Sequence, residues 1–412
     1  MTHAVPLVEP RPGAIGPLHG LRVVDLSRLV AGNMLSLQLA DFGADVIKVE
    51  AAGRGDTLRA WRAQDADHPE GFDAWWQVYG RNKRSVALDL RDAEAMAWLH
   101  RLLATAQVLV ESFRPGTLEA MGLAPARLHE AHPSLVIVRI SGWGQDGPYS
   151  GLPGFGSLIE GFSGYAHKHR DGDGVPGLPN MALADMVTGL TGAFAVMAAL
   201  RAVEVGGGGG QVIDLSLLEP MAAVMGPDVT QYAATGAAPP AHEKIASPRG
   251  AYRCRDGGWV SLSGSTQTMA RRVFEALGHG ALFDDPRFSS NAARLRHDAE
   301  VDRLVSGAIA QLDLADCLAR FRGLGVTIGP IQSPAEILAD PHVRARGVYV
   351  QLQPAGGGRP VTMHNVTPRL AGTPGALRRA APALGEHTAE VLAELGADAA
   401  ALGRIGAGGA AA

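Results

Sequence analysis

Residues 21–50 read LRVVDLSRLVAGNMLSLQLADFGADVIKVE, and this stretch decides the fold. Its first part, Leu21–Leu26, is the kind of apolar run that a strand buried on both faces requires. A helical stretch over Asn33–Phe42 follows, with Gly43 placed to end it, and Ala44–Glu50 is typical of a second strand. A strand, a helix and a strand in succession predict a βαβ unit, whose strands lie parallel with a right-handed crossover.

The same alternation continues through the first half of the chain. A long helix predicted over Met181–Val205 has no polar face, which indicates burial in a large domain or at a subunit interface. The five glycines at 206–210 precede no GK[ST] motif. We therefore interpret them as a flexible helix-to-strand turn rather than a phosphate cradle. Further helices are predicted over 93–106 and 124–132, and further strands over 108–112, 135–140 and 211–216.

The composition changes after Thr235, where TGAAPPAHEK is rich in Pro and Ala and indicates a crossing between domains. A hairpin, AYRCRDGGWVSLSG, follows, with Asp256-Gly257-Gly258 as its turn. Helices are predicted over 267–277 and 299–324, and near the end of the chain over 386–395. We divide the chain into a large domain starting at 1–225, a smaller domain at 226–340, and a return segment at 341–412 that completes the large domain.

The bulk composition excludes several classes of protein. Hydrophobic residues make up 46% of the chain, and the formal net charge is -4 with both signs interspersed. A nucleic-acid binder needs a concentrated basic face instead. Cys254 and Cys317 have no zinc-ligand spacing, so we interpret both as buried thiols and predict no metal site. The start lacks the pattern of a signal peptide, and no uninterrupted apolar run reaches the roughly 20 residues of a membrane span, so we predict a cytoplasmic protein.

The first strand-to-helix turn tests the dinucleotide-binding hypothesis. That function needs GxGxxG at this turn, so that the backbone can approach a pyrophosphate. The turn Ser27–Gly32 is SRLVAG and has one glycine. Glu50, at the end of the second strand, could hold a ribose, but a single acid is weak support. Nicotinamide chemistry is disfavoured.

A few acidic and basic residues are candidates for chemistry on the residues alone. Asp185 is the unusual one, because MALADMVTGL places it in apolar surroundings at the start of the long helix. A buried carboxylate there is costly unless it is hydrogen-bonded or helped by the helix N-terminus. An ordinary N-cap explains the same pattern, so both interpretations stay open. The other acids are Glu160 and Asp146, and the basic candidates for a phosphate or carboxylate are Arg28, Lys83, Arg84 and Arg114.

The chain also contains, in order, the segments HGLRVVDLSRLVAG, LADFGADVIKVEAAGRGD, RNKRSVALDL, VESFRPGTLEAMGL, ISGWGQDGPYSGLPGFG, LADMVTG, GGQVIDLSLLE, YRCRDGGWVSL and LGEHTAEVLAELG. Together they resemble the class III CoA-transferases, the CaiB/BaiF family of formyl-CoA transferase and carnitine CoA-transferase. The resemblance implies an α/β fold with a Rossmann-like parallel-sheet domain, a smaller α+β domain and an interlocked homodimer. It also implies an enzyme that takes acyl-CoA and a carboxylic acid as substrates, with no tightly bound cofactor.

In that family the aspartate of an (A/G)DxxTG segment is the nucleophile, and the resemblance assigns this role to Asp185. The carboxylate attacks the donor thioester to give an aspartyl-acyl anhydride and CoA thiolate. The thiolate then forms an aspartyl-CoA thioester, and the acceptor acid reverses the sequence. A dry pocket keeps water from the anhydride.

The resemblance also implies where CoA binds. Ala51 stands where formyl-CoA transferase has an arginine, so that contact is either lost or supplied by Arg54, Lys83 or Arg84. For each of these cations a solvated surface charge is the alternative. The predicted CoA-binding residues are Leu29, Val30, Arg54, Lys83, Arg84, Leu88, Arg91, Ser112, Phe113, Arg114, Ala120, Met121 and Phe155.

Two other functions share this fold. The α-methylacyl-CoA racemases use a histidine in an AGHD-like segment, and Phe155 in the matching stretch Pro153–Gly156 cannot exchange a proton. We therefore prefer the transferase, with a racemase or a non-catalytic CoA-binding protein as alternatives.

The substrate side departs from the common transferase pattern. Gly156 stands where many members have Asp, and Glu160, one helical turn on, either compensates or is an exposed helix residue. The loop Tyr165–Pro179 carries His169 and Arg170. We hypothesise that this loop binds a second carboxylate, so that a dicarboxylic acid such as succinate, citramalate, mesaconate or malate is donor or acceptor. A solvated surface loop is the alternative.

Overall fold

The computed structural model describes residues 5–62, 72–237, 244–354, 357 and 359–410. The chain divides into two compact units, Met1–Ala238 with Gly347–Ala412, and Pro239–Arg346. The predicted boundary at 226 falls before a helix, Asp228–Thr235, that the structure assigns to the first unit. Asp228 is tied there by an ion pair with Lys168, at 2.6 Å.

The strands are short and number twelve in the described residues. They are β1 (Leu7–Val8), β2 (Arg22–Asp25), β3 (Asp45–Glu50), β4 (Lys83–Ala87), β5 (Val108–Glu111), β6 (Val136–Ser141), β7 (Val212–Ser216), β8 (Arg249–Arg253), β9 (Trp259–Ser263), β10 (Ile328–Pro330), β11 (Tyr349–Leu352) and β12 (Val361–His364).

Helices connect and cover these strands. They are α1 (Leu29–Asp41), α2 (Ala74–Tyr79), α3 (Ala93–Leu103), α4 (Thr117–Ala120), α5 (Pro125–Ala131), α6 (Gly156–Phe162), α7 (Tyr165–Lys168), α8 (Leu183–Gly206), α9 (Leu218–Val224), α10 (Asp228–Thr235), α11 (Gln267–Ala276), α12 (Asn291–Arg296), α13 (Asp298–Ile309), α14 (Leu314–Gly323), α15 (Pro334–Ala339), α16 (Pro341–Ala345), α17 (Thr388–Glu394) and α18 (Ala399–Ala410).

The first unit is built on a six-stranded parallel sheet in the order β4-β3-β2-β5-β6-β7. This is the strand order of a Rossmann-like fold, so the predicted fold class is confirmed. The order reverses between β2 and β5, and ligands of such sheets bind beyond the carboxyl ends of the strands at that point.

Both faces of the sheet are buried, which explains the apolar run that opens it. In β2, Val23 belongs to the core on one face of the sheet and Val24 to the core on the other. Helices α1 and α8 cover the first face and approach each other closely at Gly189. A Cβ atom there would lie 2.7 Å from the carbonyl oxygen of Ala31. Because residue 189 is glycine, the backbones of α1 and α8, the two helices that carry the site, can approach each other closely.

Strand β4 is absent from the sequence prediction. Its residues include Lys83 and Arg84, and we expected these cations to bind a phosphate. In the structure Lys83 is fully buried and Arg84 is 5% exposed, because acidic side chains pair with both. Buried strand positions are normally occupied by apolar residues. Lys83 and Arg84 are buried as ion pairs, so β4 lacks the apolar pattern by which a buried strand is recognised in a sequence.

Helix α8 confirms the predicted long apolar helix but is buried on one face only. Val196 and Leu200 lie in the core, whereas Leu190, Phe194 and Met197 are exposed, Phe194 by 75%. By length and composition alone α8 is the one helix in the described ranges that could cross a membrane.

The second unit contains the antiparallel sheet β10-β9-β8. Strands β8 and β9 form the predicted hairpin. The predicted helix over 299–324 is instead two helices, α13 and α14, separated at residues 310–313. Cys254 and Cys317 are buried free thiols, as predicted.

Candidate active site

Asp185 lies in the first turn of α8, and its carboxylate faces the first turn of α1. The helix begins at Leu183 with Ala182 as its N-cap, so the N-cap interpretation of Asp185 is wrong. The nearby backbone N–H groups of Asp185 and Ala31 favour the charged form of this carboxylate. Two helix N-termini, each with unpaired N–H groups and a partial positive charge, therefore converge on one carboxylate.

A second carboxylate stands beside the first. Glu160 of α6 is 3% exposed, so it is not the exposed helix residue that the sequence left possible. Its Oε1 accepts a hydrogen bond from the N–H of Ala184 at 3.1 Å, which ties α6 to the start of α8. Burial first, and then the negative charge of Glu160, raise the pKa of Asp185 to about 6. No cation pairs with Asp185 in the described part of the chain.

Gly156 makes room for the carboxylate of Asp185. A Cβ atom at this position would lie 2.2 Å from Asp185 Oδ2, so no other residue fits without moving the acid. An aspartate at this position, which the resemblance would lead one to expect, could not be accommodated in this arrangement. Glu160, in the same helix, is a buried carboxylate beside this position.

The start of α1 has an unusual backbone. Leu29 has φ of +62°, in the left-handed region that a residue with a bulky side chain rarely adopts. Its N–H donates to Asp56 Oδ1 at 3.0 Å, and its carbonyl accepts from the amide of Asn33 at 2.6 Å. The same Asn33 amide donates to Asp56 Oδ2 at 2.7 Å.

Beneath this turn four charged side chains are fully buried and neutralise one another. Lys48 lies 3.2 Å from Asp25 and 3.1 Å from Asp56, and Lys83 lies 3.6 Å from Asp25. Burial alone would raise the pKa of both aspartates, but the lysines and several hydrogen bonds bring it below the ordinary value. Burial lowers the pKa of Lys83 to about 8.

A groove of about 590 Å³ opens at the carboxyl ends of β2, β3, β4 and β5. This is where the strand order of the sheet reverses, the position expected for a ligand. Its exposed cations are Arg28, Arg54 and Arg91, of which Arg91 is paired with Asp89 at 2.7 Å. Arg28 and Arg54 have no ion pair with any residue that the structure describes. The groove is therefore suited to an anionic ligand. Its other lining residues include Leu26, Ala51, Ala52, Leu88, Phe113 and Met121.

Residues 18–388 match the CoA-transferase family III. The chain belongs to this family. It is 35% identical over 382 residues to the succinyl-CoA–D-citramalate CoA-transferase of Chloroflexus aurantiacus, covering 92% of this chain and 94% of that one. It is 36% identical to the succinate–glutarate CoA-transferase of Agrobacterium fabrum, covering 92% and 96%. A crystal structure of a CaiB/BaiF family protein from Brucella suis matches with a TM-score of 0.79 at 32% identity, covering 92% and 100%.

The protein is thus a CoA-transferase, which moves CoA between an acyl-CoA and a carboxylic acid. The structure brings five of the predicted CoA-binding residues into the groove of this CoA-transferase. They are Arg54, Leu88, Arg91, Phe113 and Met121. Of the three cations considered as replacements for the arginine missing at Ala51, Arg54 alone lines the groove.

The structure contradicts the predicted CoA-binding role of Lys83 and Arg84. Lys83 donates to Asn33 Oδ1 at 2.8 Å inside the buried cluster. Arg84 forms ion pairs with Asp45, Glu390 and Glu394, at 2.5–2.9 Å. Neither side chain is available to a ligand of the CoA-transferase, because each is neutralised by acids within the protein.

The other predicted CoA-binding residues are not among those that line the groove. Ser112 Oγ accepts from the N–H of Arg28 at 2.9 Å, and Leu29 begins α1. Val30 is buried, whereas Arg114 and Ala120 are exposed. Phe155 precedes α6 and is 57% exposed.

The loop residues proposed for a second carboxylate are not joined to Asp185 by any contact in the structure. The His169 ring stacks on Tyr165 with centroids 4.0 Å apart. Arg170 has a buried guanidinium nitrogen without a hydrogen-bond partner among the described residues. Asp146 is exposed, and no group of three potential metal ligands occurs in the described ranges.

Sequence reasoning missed Asp56. It follows the glycines of AAGRGD after β3, at the same edge of the sheet as the groove. An acid in the loop that follows a buried parallel strand was the available signal. Glu50, considered for a ribose, is instead bound by Arg59 through two contacts of 2.8 Å.

Proposed function

We propose that Asp185 is the nucleophile of this CoA-transferase. The observation that carries this role is a buried carboxylate between two helix N-termini that has no cation partner among the described residues. Burial and the charge of Glu160 raise its pKa to about 6. At neutral pH such a carboxylate is ionised, yet it is more basic than an ordinary aspartate and therefore a better nucleophile.

The transfer takes place in four steps. A carboxylate oxygen of Asp185 attacks the thioester carbonyl, the C–S bond breaks, and an anhydride and CoA thiolate form. The thiolate attacks the aspartyl carbonyl, which releases the donor acid as a carboxylate and leaves an aspartyl-CoA thioester. The acceptor carboxylate attacks this thioester, again giving an anhydride and thiolate. The thiolate finally attacks the acceptor's carbonyl, which yields the new acyl-CoA and free Asp185.

The chain supplies two aids to these steps. Each tetrahedral intermediate carries an oxyanion, and the Ala31 N–H at the start of α1 is a preorganised donor for it. The groove binds the nucleotide part of CoA through Arg28 and Arg54, leaving the thioester to reach Asp185. Neither a metal ion nor a redox group is needed for the bonds that form and break.

We propose a dicarboxylic acid as donor or acceptor. The two named relatives act on succinyl-CoA and D-citramalate, and on succinate and glutarate. Arg170, with its unpartnered buried nitrogen, remains our candidate for the second carboxylate, together with His169. Unchanged kinetics of His169→Ala and Arg170→Ala on the best dicarboxylate would exclude this role.

The experiment that tests the nucleophile is intact-mass analysis after incubation with a panel of acyl-CoAs, succinyl-CoA among them. Borohydride then reduces an aspartyl thioester and traps its position, with Asp185→Ala as the control. We expect a CoA-sized adduct that forms with some acyl-CoAs and is absent in Asp185→Ala. An adduct that persists in this variant would assign the nucleophile elsewhere.

We further propose that the CoA-transferase is an interlocked homodimer. The exposed apolar face of α8, formed by Leu190, Phe194 and Met197, supports this proposal because a second copy would bury it. Light scattering should give twice the chain mass. Differently tagged dimers should not exchange chains in native buffer, and Phe194→Glu should weaken the dimer. A monomeric wild-type protein would contradict the proposal.

A further inference from the structure

The left-handed backbone of Leu29 needs a cause. A leucine disfavours positive φ, because its Cβ crowds the neighbouring carbonyl, and surrounding structure must hold it there. Such strained residues persist where the fold over-determines them. At Leu29 both backbone polar groups are fixed, the N–H by Asp56 and the carbonyl by Asn33.

Asp56 is the centre of this arrangement. Its Oδ1 accepts from the N–H groups of Leu29 and Leu58, at 3.0 and 2.9 Å. Its Oδ2 accepts from Asn33 at 2.7 Å and lies 3.1 Å from Lys48. Both carboxylate oxygens thus face donors only, which an amide or an alcohol cannot satisfy.

Asp56 is itself immobile. Its N–H donates to Glu50 Oε2 at 2.8 Å, and its side chain is shielded from water. Lys83 holds the other end of Asn33 through Oδ1 at 2.8 Å. The conformation of Leu29 is therefore set by a rigid, buried network rather than by a surface loop.

The consequence reaches the reacting carboxylate. Two residues after Leu29, the N–H of Ala31 lies near the carboxylate of Asp185 and favours its charged form. The direction of that N–H depends on how the first turn of α1 begins. We propose that Asp56 is a positioning residue: it holds Leu29 in the left-handed conformation and so aims the first-turn N–H of α1 at the oxygen of Asp185 and of its acylated forms. This inference rests on the proposed role of Asp185.

A double-mutant cycle tests the inference, with the full-length protein and succinyl-CoA as the probe. The measured quantity is the single-turnover rate of adduct formation on Asp185. With Leu29 unchanged, Asp56→Asn should slow this rate about tenfold or more. The NH₂ group of the new amide would face hydrogen-bond donors that the Asp56 carboxylate accepts from. The KM for succinyl-CoA should change about threefold at most. In the Leu29→Gly protein, Asp56→Asn should slow adduct formation by a factor at least about three times smaller, because glycine adopts positive φ without help.

A matched pair covers the case in which Asp56→Asn does not fold. Leu29→Gly and Leu29→Ala both remove the side chain, and only glycine enters the left-handed region freely. We expect Leu29→Gly to form the adduct several times faster than Leu29→Ala, the reverse of helix propensity. The inference would be overturned if Leu29→Gly and Leu29→Ala formed the adduct at equal rates. It would also be overturned if Asp56→Asn slowed adduct formation by the same factor with Leu29 and with Gly at position 29. Absence of an adduct in the wild-type protein would instead overturn the proposed role of Asp185.

Discussion

Asp56 and Asp185 both lie at the first turn of α1, but the charged groups around the two carboxylates are of opposite sign. Asp56 accepts a hydrogen bond from the N–H of Leu29 and is paired with Lys48. Asp185 lies near the N–H of Ala31 and is subject to the negative charge of Glu160. Burial would raise the pKa of both. At Asp56 the Lys48 charge and its hydrogen bonds reverse this effect, whereas at Asp185 the Glu160 charge adds to it.

The difference separates an acid suited to a structural role from one suited to the proposed nucleophilic role. A buried carboxylate with a cation and several donors is stable as an anion and is a poor nucleophile. One that has donors but no cation, beside a like charge, keeps its basicity and can attack a carbonyl. Four experiments alter one side of this comparison at a time.

The largest expected effect follows from removing the cation of Asp56. Lys48→Met should lower the free energy of unfolding by about 3–5 kcal/mol, since it leaves buried carboxylates without their charge partner. Urea denaturation measures the change. The control is Arg404→Met, which breaks an exposed pair with Glu94 and should lower the free energy of unfolding far less. Equal losses in the two variants would mean that the buried cluster is not a structural unit.

A smaller effect is expected from displacing Asp185. Gly156→Ala places a Cβ atom 2.2 Å from the present position of Oδ2, and a shift of about 1 Å in a reacting group costs roughly a hundredfold in kcat. Gly161→Ala, in the same helix, meets no atom within 4 Å and should leave kcat unchanged. Steady-state kinetics with succinyl-CoA decides between the two outcomes, and an unaffected Gly156→Ala would contradict the site geometry.

Substitution of Arg54 tests whether this exposed cation contributes to ligand binding rather than to the stability of the fold. Arg54→Ala should raise the KM for an acyl-CoA about tenfold, because one charge-assisted contact to CoA is lost. Its stability should change by about 0.5 kcal/mol or less. The matching acyl-pantetheine lacks the nucleotide, so its KM should be the same in both proteins. A rise with both substrates would place Arg54 elsewhere.

The smallest effect is a shift in pH dependence. The value of kcat/KM should rise with pH through about 6, as Asp185 loses its proton. Glu160→Gln keeps an acceptor for the N–H of Ala184 but removes the neighbouring charge, so the acid limb should move to lower pH. It should stay above the ordinary aspartate value of 3.8, because burial is the larger cause of the raised pKa. An acid limb that does not move would show that Glu160 does not act on Asp185 through its charge.

The predicted βαβ unit at the start of the chain is confirmed because its signal is local. Apolar runs such as those of β2 and β3 mark strands buried on both faces, and Gly43 marks the end of α1. Strand β4 was missed for the opposite reason. Its lysine and arginine are compensated by acids far away in the sequence, Asp25 and Glu394 among them.

The sequence by itself determined the opening βαβ unit and the family, since apolar periodicity and short motifs are written in consecutive residues. The family resemblance in turn singled out Asp185. The tertiary structure alone decided that Lys83 and Arg84 are buried, that Glu160 stands beside Asp185, and that Asp56 accepts the N–H of Leu29 at the start of α1. Each of these depends on which charges meet in space. Distance and burial set the strength of an electrostatic interaction, and neither quantity is a property of neighbouring residues in a chain.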